Sequence, residues 1–294
     1  MLSDRVNRLT VTSIGNHRPT LNGNSPRMPG ESHFASQGPN KIHYVTLGQG
    51  NRTLVFIHGW ACNLAIWREQ ASALAGTAKL IFIDLPGHGQ SDKPQVAYTM
   101  DHFAEAVLAV LKDAQVDKAV FIAHSMGAAV LCRIYQRAPE KVAALVSVDG
   151  LLRRPHGTPE QAQALVGPFA TPQYLDHAKR FIGSFFPIPG TEALRDGLMP
   201  EMLATPQHVM LGAMLGMFGP DQSDWILQKV NAPVAVINAP SLWWANGYEG
   251  YVRSLSPQCD YVLMDGVGHF LMLEKPAEFN TKLSAFLREF DSLA

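Results

Sequence analysis

Seven short apolar runs, separated by Gly/Pro-rich loops and helical stripes, constrain this chain most. Ile42–Thr46, Thr53–Ile57, Leu80–Ile83, Ala119–Ala123, Ala144–Val148, Val234–Ile237 and Tyr261–Met264 are four or five residues each, rich in Val, Ile, Leu and Phe. Several are apolar throughout, as strands covered on both faces are. Between them fit amphipathic helices. Thr99 is placed to cap one that carries Phe103, Val107, Val110 and Leu111 on a single stripe. Pro276 sits where a first helical turn accepts proline, and Phe279, Leu283, Phe286, Leu287 and Phe290 follow at helical spacing. Strands alternating with helices predict an α/β fold: a mostly parallel, doubly covered sheet of about eight strands.

The rhythm breaks between Leu151 and Val230, a stretch far longer than one crossover needs. We read residues 151–230 as an inserted helical cap. Met199, Met202, Met210, Met214 and Met217 fall in it, and the last three lie at i, i+4 and i+7. Helix packing explains that spacing, and flexible thioethers also suit the wall of an adaptable apolar pocket. Residues 1–38 are polar and rich in Asn, Ser, Pro and Gly, and read as a flexible N-terminal arm. Residues 39–294 then form the folded domain.

Composition narrows the function classes. Lys plus Arg is 24 and Asp plus Glu is 25, a net charge of -1, so no global field favours a nucleic acid or an anionic membrane. Cys62, Cys132 and Cys259 are far apart and suggest neither a disulfide framework nor a zinc cluster. The longest mostly apolar run, Val209–Pro220, is short for a membrane span and contains three glycines. The N-terminus lacks the apolar stretch of a secretory signal. The expected setting is the cytoplasm, with no metal and no organic cofactor.

The chemistry concentrates around Ser125. The run Phe121 to Ala129 is a strand that meets a helix at Ser125, with small residues at Ala123, Gly127 and Ala128. Such a sharp turn lifts the serine above the sheet and places it at a helix start, whose N–H groups are free for an anion. Three further blocks follow strands: His58-Gly59-Trp60, the loop Asp84 to Asp92, and the loop that carries His269.

In their order and spacing the HGW, DLPGHGxS, HSMG and DGxGHF blocks resemble the α/β-hydrolase superfamily, over residues 41 to 290. The resemblance implies that Ser125 is the nucleophile and His269 the general base, with the backbone N–H groups of Trp60 and Met126 as the oxyanion hole. It also implies a structural role for His58. Ala123 stands where the family usually has glycine. The family's usual position for the third triad member is vacant, since no Asp or Glu occurs from Asn231 through Tyr248. Asp149, which ends the strand Ala144–Val148, is the replacement we favour, as in branches of the superfamily that carry the acid there. Glu249 is the second choice and Asp265 the third, and a Ser–His dyad stays open.

A serine at the nucleophile position points to acyl transfer, and argues against epoxide hydrolases and haloalkane dehalogenases, which use Asp there. The expected substrate is a small or medium apolar carboxylic ester, held by Trp60, Trp243, Trp244, Met210, Met214 and Phe270. The alternatives are another activity of this fold (C–C bond hydrolase, lactonase, hydroxynitrile lyase, cofactor-free peroxidase) or a hydrolase-like receptor for a hydrophobic ligand.

Overall fold

In the computed structural model, residues 28–153, 158–219, 227–241, 244 and 247–293 are described. Eight strands form one sheet: β1 Glu31–Gln37, β2 Asn40–Leu47, β3 Thr53–Ile57, β4 Lys79–Ile83, β5 Ala119–His124, β6 Val142–Val148, β7 Val234–Asn238 and β8 Asp260–Leu263. Their spatial order is β1-β2-β4-β3-β5-β6-β7-β8. β2 is antiparallel to both β1 and β4, and every pairing from β4 onward is parallel. β3 and β5 sit at the centre, and every residue of β5 is buried, as its unbroken apolar run requires.

The boundary of the N-terminal arm needs correction. Residues 31–37 are not outside the fold: they form edge strand β1, paired with β2 from Glu31↔Thr46 to Gln37↔Asn40. Gly38, at φ 58°, makes the tight connection with Pro39. The sequence hides this strand because an edge strand lies half in water. Glu31, Ser32 and Ser36 are exposed, and Ala35 is the residue it buries. Residues 1–27 of the arm lie outside the described residues.

The helices are α1 Arg68–Leu74, α2 Met100–Asp113, α3 Met126–Arg137, α4 Pro159–Val166, α5 Tyr174–Gly183, α6 Glu192–Leu203, α7 Gln207–Phe218, α8 Tyr248–Leu255, α9 Leu271–Glu274 and α10 Pro276–Leu293. Thr99 caps α2 by accepting the His102 N–H, and its stripe of Phe103, Val107, Val110 and Leu111 is fully buried. α2 packs on α3, and α1 packs on α9 and α10.

Helices α4 to α7 all lie between β6 and β7. α7 descends onto α2 and its approach segment, while the indole N–H of Trp60 donates to the Met210 carbonyl at 3.0 Å. Trp60 also meets Phe169 and Phe181 edge-on, at 5.2 and 5.5 Å between ring centroids. Both ends of this helical excursion return to α8. The Tyr251 hydroxyl lies 2.9 Å from the Leu152 carbonyl and 2.8 Å from the Leu227 carbonyl. Among the described residues no helix is long and apolar enough to cross a membrane.

Candidate active site

Ser125 occupies the junction between β5 and α3, with φ 53° and ψ -119°. A non-glycine residue at positive φ is strained, and here the surrounding structure holds it in place. The Ser125 N–H donates to the Val148 carbonyl at 3.0 Å, and the Ser125 carbonyl accepts from Ala128 N–H at 2.9 Å. Gly127 is required by close approach: a Cβ there would lie 2.8 Å from the Ile57 carbonyl oxygen and 2.9 Å from that of His58. Ala123 is fully buried in β5, so alanine fits the position before the turn.

His269 lies in the loop between β8 and α9. Its Nδ1–H donates to Asp149 Oδ2 at 2.6 Å. Asp149 follows β6 directly, at φ 44°, and its own N–H donates to the Ile237 carbonyl at 3.0 Å. Its second oxygen accepts the Ala239 N–H at 2.8 Å. The carboxylate is thus anchored by the end of β7, the place from which the acid is missing. A carboxylate on Nδ1 fixes the tautomer in which Nε2 is the proton acceptor. Glu249 is elsewhere: it pairs with Arg253 at 2.7 Å on the exposed face of α8. Asp265 is exposed, and its carbonyl accepts from the Lys275 ammonium at 2.7 Å.

Ser125, Asp149 and His269 line one cavity of about 460 Å³. Trp60 and Met126 line it as well. Met126 opens α3, where a first-turn N–H has no acceptor within the helix. The rest of the wall is mostly apolar. Phe181, Phe185, Pro187, Ile188, Met214, Met217 and Phe218 come from the helical insertion, and Trp244 comes from the loop after β7. Among the described residues neither lysine nor arginine lines it.

Two of the expected substrate-contacting residues are placed otherwise. Met210 is fully buried outside the cavity lining, where its carbonyl anchors the Trp60 indole. Spacing of i, i+4 groups Met210 with Met214, but α7 is apolar on every side, so the period cannot say which methionine meets the cavity. Phe270 is also fully buried outside the lining, 5.2 Å from the His124 ring and 5.2 Å from the Phe186 ring. It supports the back of the His269 loop. Trp243 lies outside the described residues.

Three neighbouring histidines are buried and held neutral. His58 Nδ1–H donates to the Gly59 carbonyl, while its Nε2 accepts from Leu85 N–H at 3.0 Å. It ties the Trp60 loop to the loop after β4, and burial lowers its pKa. Burial likewise pushes His88 down to about 3. His124 is driven well below the usual histidine range by burial and then by the nearby His269. Its Nε2–H donates to the His269 carbonyl at 2.9 Å. Among the described residues no group of three or more His, Cys, Asp or Glu could hold a metal ion.

Sequence analysis did not single out Glu274 or Phe185. Glu274 accepts the N–H groups on either side of His269, from Gly268 at 2.6 Å and Phe270 at 3.1 Å. Phe185 accepts the His269 N–H on its carbonyl at 3.2 Å, and its ring lies 4.6 Å from the imidazole. The position of Glu274, five residues after His269, was a visible signal. That of Phe185, some 80 residues away, was not.

A curated relative, the dihydrolipoyllysine-residue acetyltransferase component of an acetoin cleaving system from Pseudomonas putida, is 28% identical over 278 residues, covering 87% of this chain and 69% of that protein. The solved structure of Est816, described as an N-acyl homoserine lactone degrading enzyme, is 25% identical with a TM-score of 0.72, covering 86% of this chain and all of that one, 100%. The enol-lactonase from Burkholderia xenovorans LB400 superposes with a TM-score of 0.78 at 19% identity, over 87% of this chain and 100% of that one. Esterases, an epoxide hydrolase and a bromoperoxidase share the fold. The family profile described as the alpha/beta hydrolase fold matches residues 52–276, and the chain belongs to that family.

Proposed function

We propose that this protein is a serine hydrolase that cleaves small or medium apolar carboxylic esters through an acyl-enzyme. The observation that carries the reading is the 2.6 Å hydrogen bond from His269 to Asp149, in the same cavity as a serine held at φ 53°. Ser125 Oγ attacks the ester carbonyl while His269 Nε2 takes its proton. The oxyanion forms against the backbone N–H groups of Met126 and Trp60, donors each worth about 10²–10³ in rate. The intermediate collapses, His269 gives the proton to the departing alcohol, and the Ser125 ester remains. Water then enters and attacks the acyl carbon while His269 takes its proton, the bond to Ser125 Oγ breaks, His269 returns the proton to that oxygen, and the carboxylic acid leaves. Asp149 keeps the imidazole oriented and stabilises its charged form throughout.

The cavity supports the substrate class. About 460 Å³ falls within the range typical of small-molecule sites. Its wall of Phe, Met, Trp and Ile suits an apolar acyl or aryl group, and the described residues that line it offer an anionic substrate no lysine or arginine as counter-charge. A lactone is a cyclic ester open to the same attack, so the resemblance to Est816 puts lactones on the substrate panel.

The test is a panel of ester and lactone substrates with wild type beside Ser125→Ala, and labelling by an organophosphonate. We expect one covalent adduct, at Ser125, and multiple turnovers on apolar esters with slow turnover of charged ones. Full activity in Ser125→Ala overturns the reading. A single slow turnover with a large rise in Tm points instead to a ligand receptor.

A further inference from the structure

Three residues hold the backbone at and beside His269 through four hydrogen bonds. Its N–H donates to the Phe185 carbonyl and its carbonyl accepts from His124. The peptide groups on either side, at Gly268 and Phe270, donate to the two oxygens of Glu274. Gly268 leaves little room: a Cβ there would lie 2.9 Å from both the Phe185 carbonyl oxygen and Pro187 Cδ.

We propose that Glu274 is a positioning residue for His269, acting in two ways on the proposed serine-hydrolase reaction. Its carboxylate clamps the two peptides that flank the base, and its negative charge stabilises the imidazolium that forms when Ser125 is deprotonated. The clamp is charge-assisted on both oxygens, so it fixes the loop more firmly than neutral acceptors would. Asp149 acts on the same ring through Nδ1, and the two carboxylates therefore share one proton-accepting group.

The surroundings are consistent with this coupling. Glu274 is half-buried, and burial raises its pKa even though the Gly268 and Phe270 amides favour the ionised form. Asp149 raises it further and His269 lowers it, so the three groups sense one another. The other titratable groups facing this loop are His124, held neutral 4.6 Å from the His269 ring, and Lys275, whose ammonium is engaged by the Asp265 carbonyl.

The decisive variant is Glu274→Gln, which keeps the shape, removes the charge and presents an NH₂ group to one of the two N–H donors. We expect kcat to fall about 10–100-fold with little change in KM, because a small misplacement of the base costs rate rather than ground-state binding. The His269 imidazole, followed by NMR in the ligand-free enzyme, should titrate about half a unit lower, since a nearby negative charge favours the protonated ring. The acid limb of kcat/KM should move down with it. Glu274→Asp keeps the charge but shortens the reach, so it should lower kcat while His269 titrates near its wild-type position. A folded Glu274→Gln enzyme with an unmoved His269 titration overturns the proposal, whatever the rate does. The titration needs no substrate, so it stays decisive even where a fully active Ser125→Ala has overturned the serine-hydrolase reading.

Discussion

Ser, His and Asp come together at two places in this molecule. At the edge of the sheet, Ser32 Oγ lies 2.8 Å from His43 Nε2, and His43 Nδ1 lies 2.7 Å from Asp84 Oδ2. At the carboxyl ends of the strands, Ser125 shares a cavity with His269, whose Nδ1 lies 2.6 Å from Asp149. The His–Asp distances are nearly the same, so the difference lies in what surrounds them. The His43 side chain is 1% exposed, against 19% for His269. Asp84 also accepts the N–H groups of Leu64 and Gln90, and so ties strand β2 to the loops after β3 and β4. Ser32 sits within a regular strand, whereas Ser125 is bent to positive φ with a helix starting behind it. A relay does chemistry where its histidine has an open edge and where an anion formed at the serine meets free N–H donors. With the imidazole and carboxylate buried, the same three residue types make a rivet.

The comparison can be broken by exchanging effects between the two sets. Ser125→Ala should lower kcat about 10⁴–10⁶-fold, measured as steady-state ester turnover, with the melting temperature nearly unchanged. Asp149→Asn should cost about 10³–10⁴-fold, because the imidazole loses both its orientation and its counter-charge. Glu249→Gln, on the surface of α8, should stay within about twofold. A reversed order of these two variants would move the triad acid to α8.

Asp84→Asn should read out in stability. Asn cannot satisfy every donor of a buried carboxylate that accepts from His43, Leu64 and Gln90, and leaving one unsatisfied costs about 1–3 kcal/mol, which for a chain of this size lowers Tm by several degrees. Turnover per folded molecule should persist. Ser32→Ala is expected to be the smallest effect, about 1 kcal/mol or less in denaturant unfolding, with turnover intact and no loss of organophosphonate labelling.

Acid sharpens the same contrast. His58, His88 and His124 all have pKa values below the usual one in the folded state. The unfolded chain takes up protons at these positions near pH 6.5 and the folded chain does not, so their contribution is complete above that pH and declines below it. Burial alone would raise Asp84, but the His43 hydrogen bond, His58 and the Gln90 and Leu64 amides hold it below the usual carboxylate range. Its contribution is complete above about pH 4 and is lost as the pH falls further. Denaturant midpoints should therefore fall in two stages between pH 7 and pH 3. His88→Phe or His124→Phe in a folded protein should weaken the first stage.

The parallel core was legible because strands buried on both faces leave unbroken apolar runs, and β3 to β7 have them. β1 was not, because an edge strand needs little apolar surface, and only its pairing with β2 reveals it. The site was legible where chemistry demands a residue type in a fixed turn, as at Ser125 and His269. Asp149 could be found because the loop after β7 contains no acid. The cavity wall was harder to read. Met210 and Met214 are alike in sequence, and their different surroundings arise from how α7 is seated.

The shared hydroxyl of Tyr251 has a further consequence. The chain leaves the sheet at Leu152 and comes back at Leu227, and both carbonyls reach the same oxygen atom. The insertion therefore has a single seam, narrow enough for a linker of a few residues to close. Ser125, Asp149 and His269 lie on the sheet side of that seam. Phe185, Ile188, Met214 and Met217 lie on the other. Grafting a different insertion at this seam would change which molecule is held, provided that it resupplies the Phe185 carbonyl that holds His269 and the Met210 carbonyl that holds the Trp60 indole.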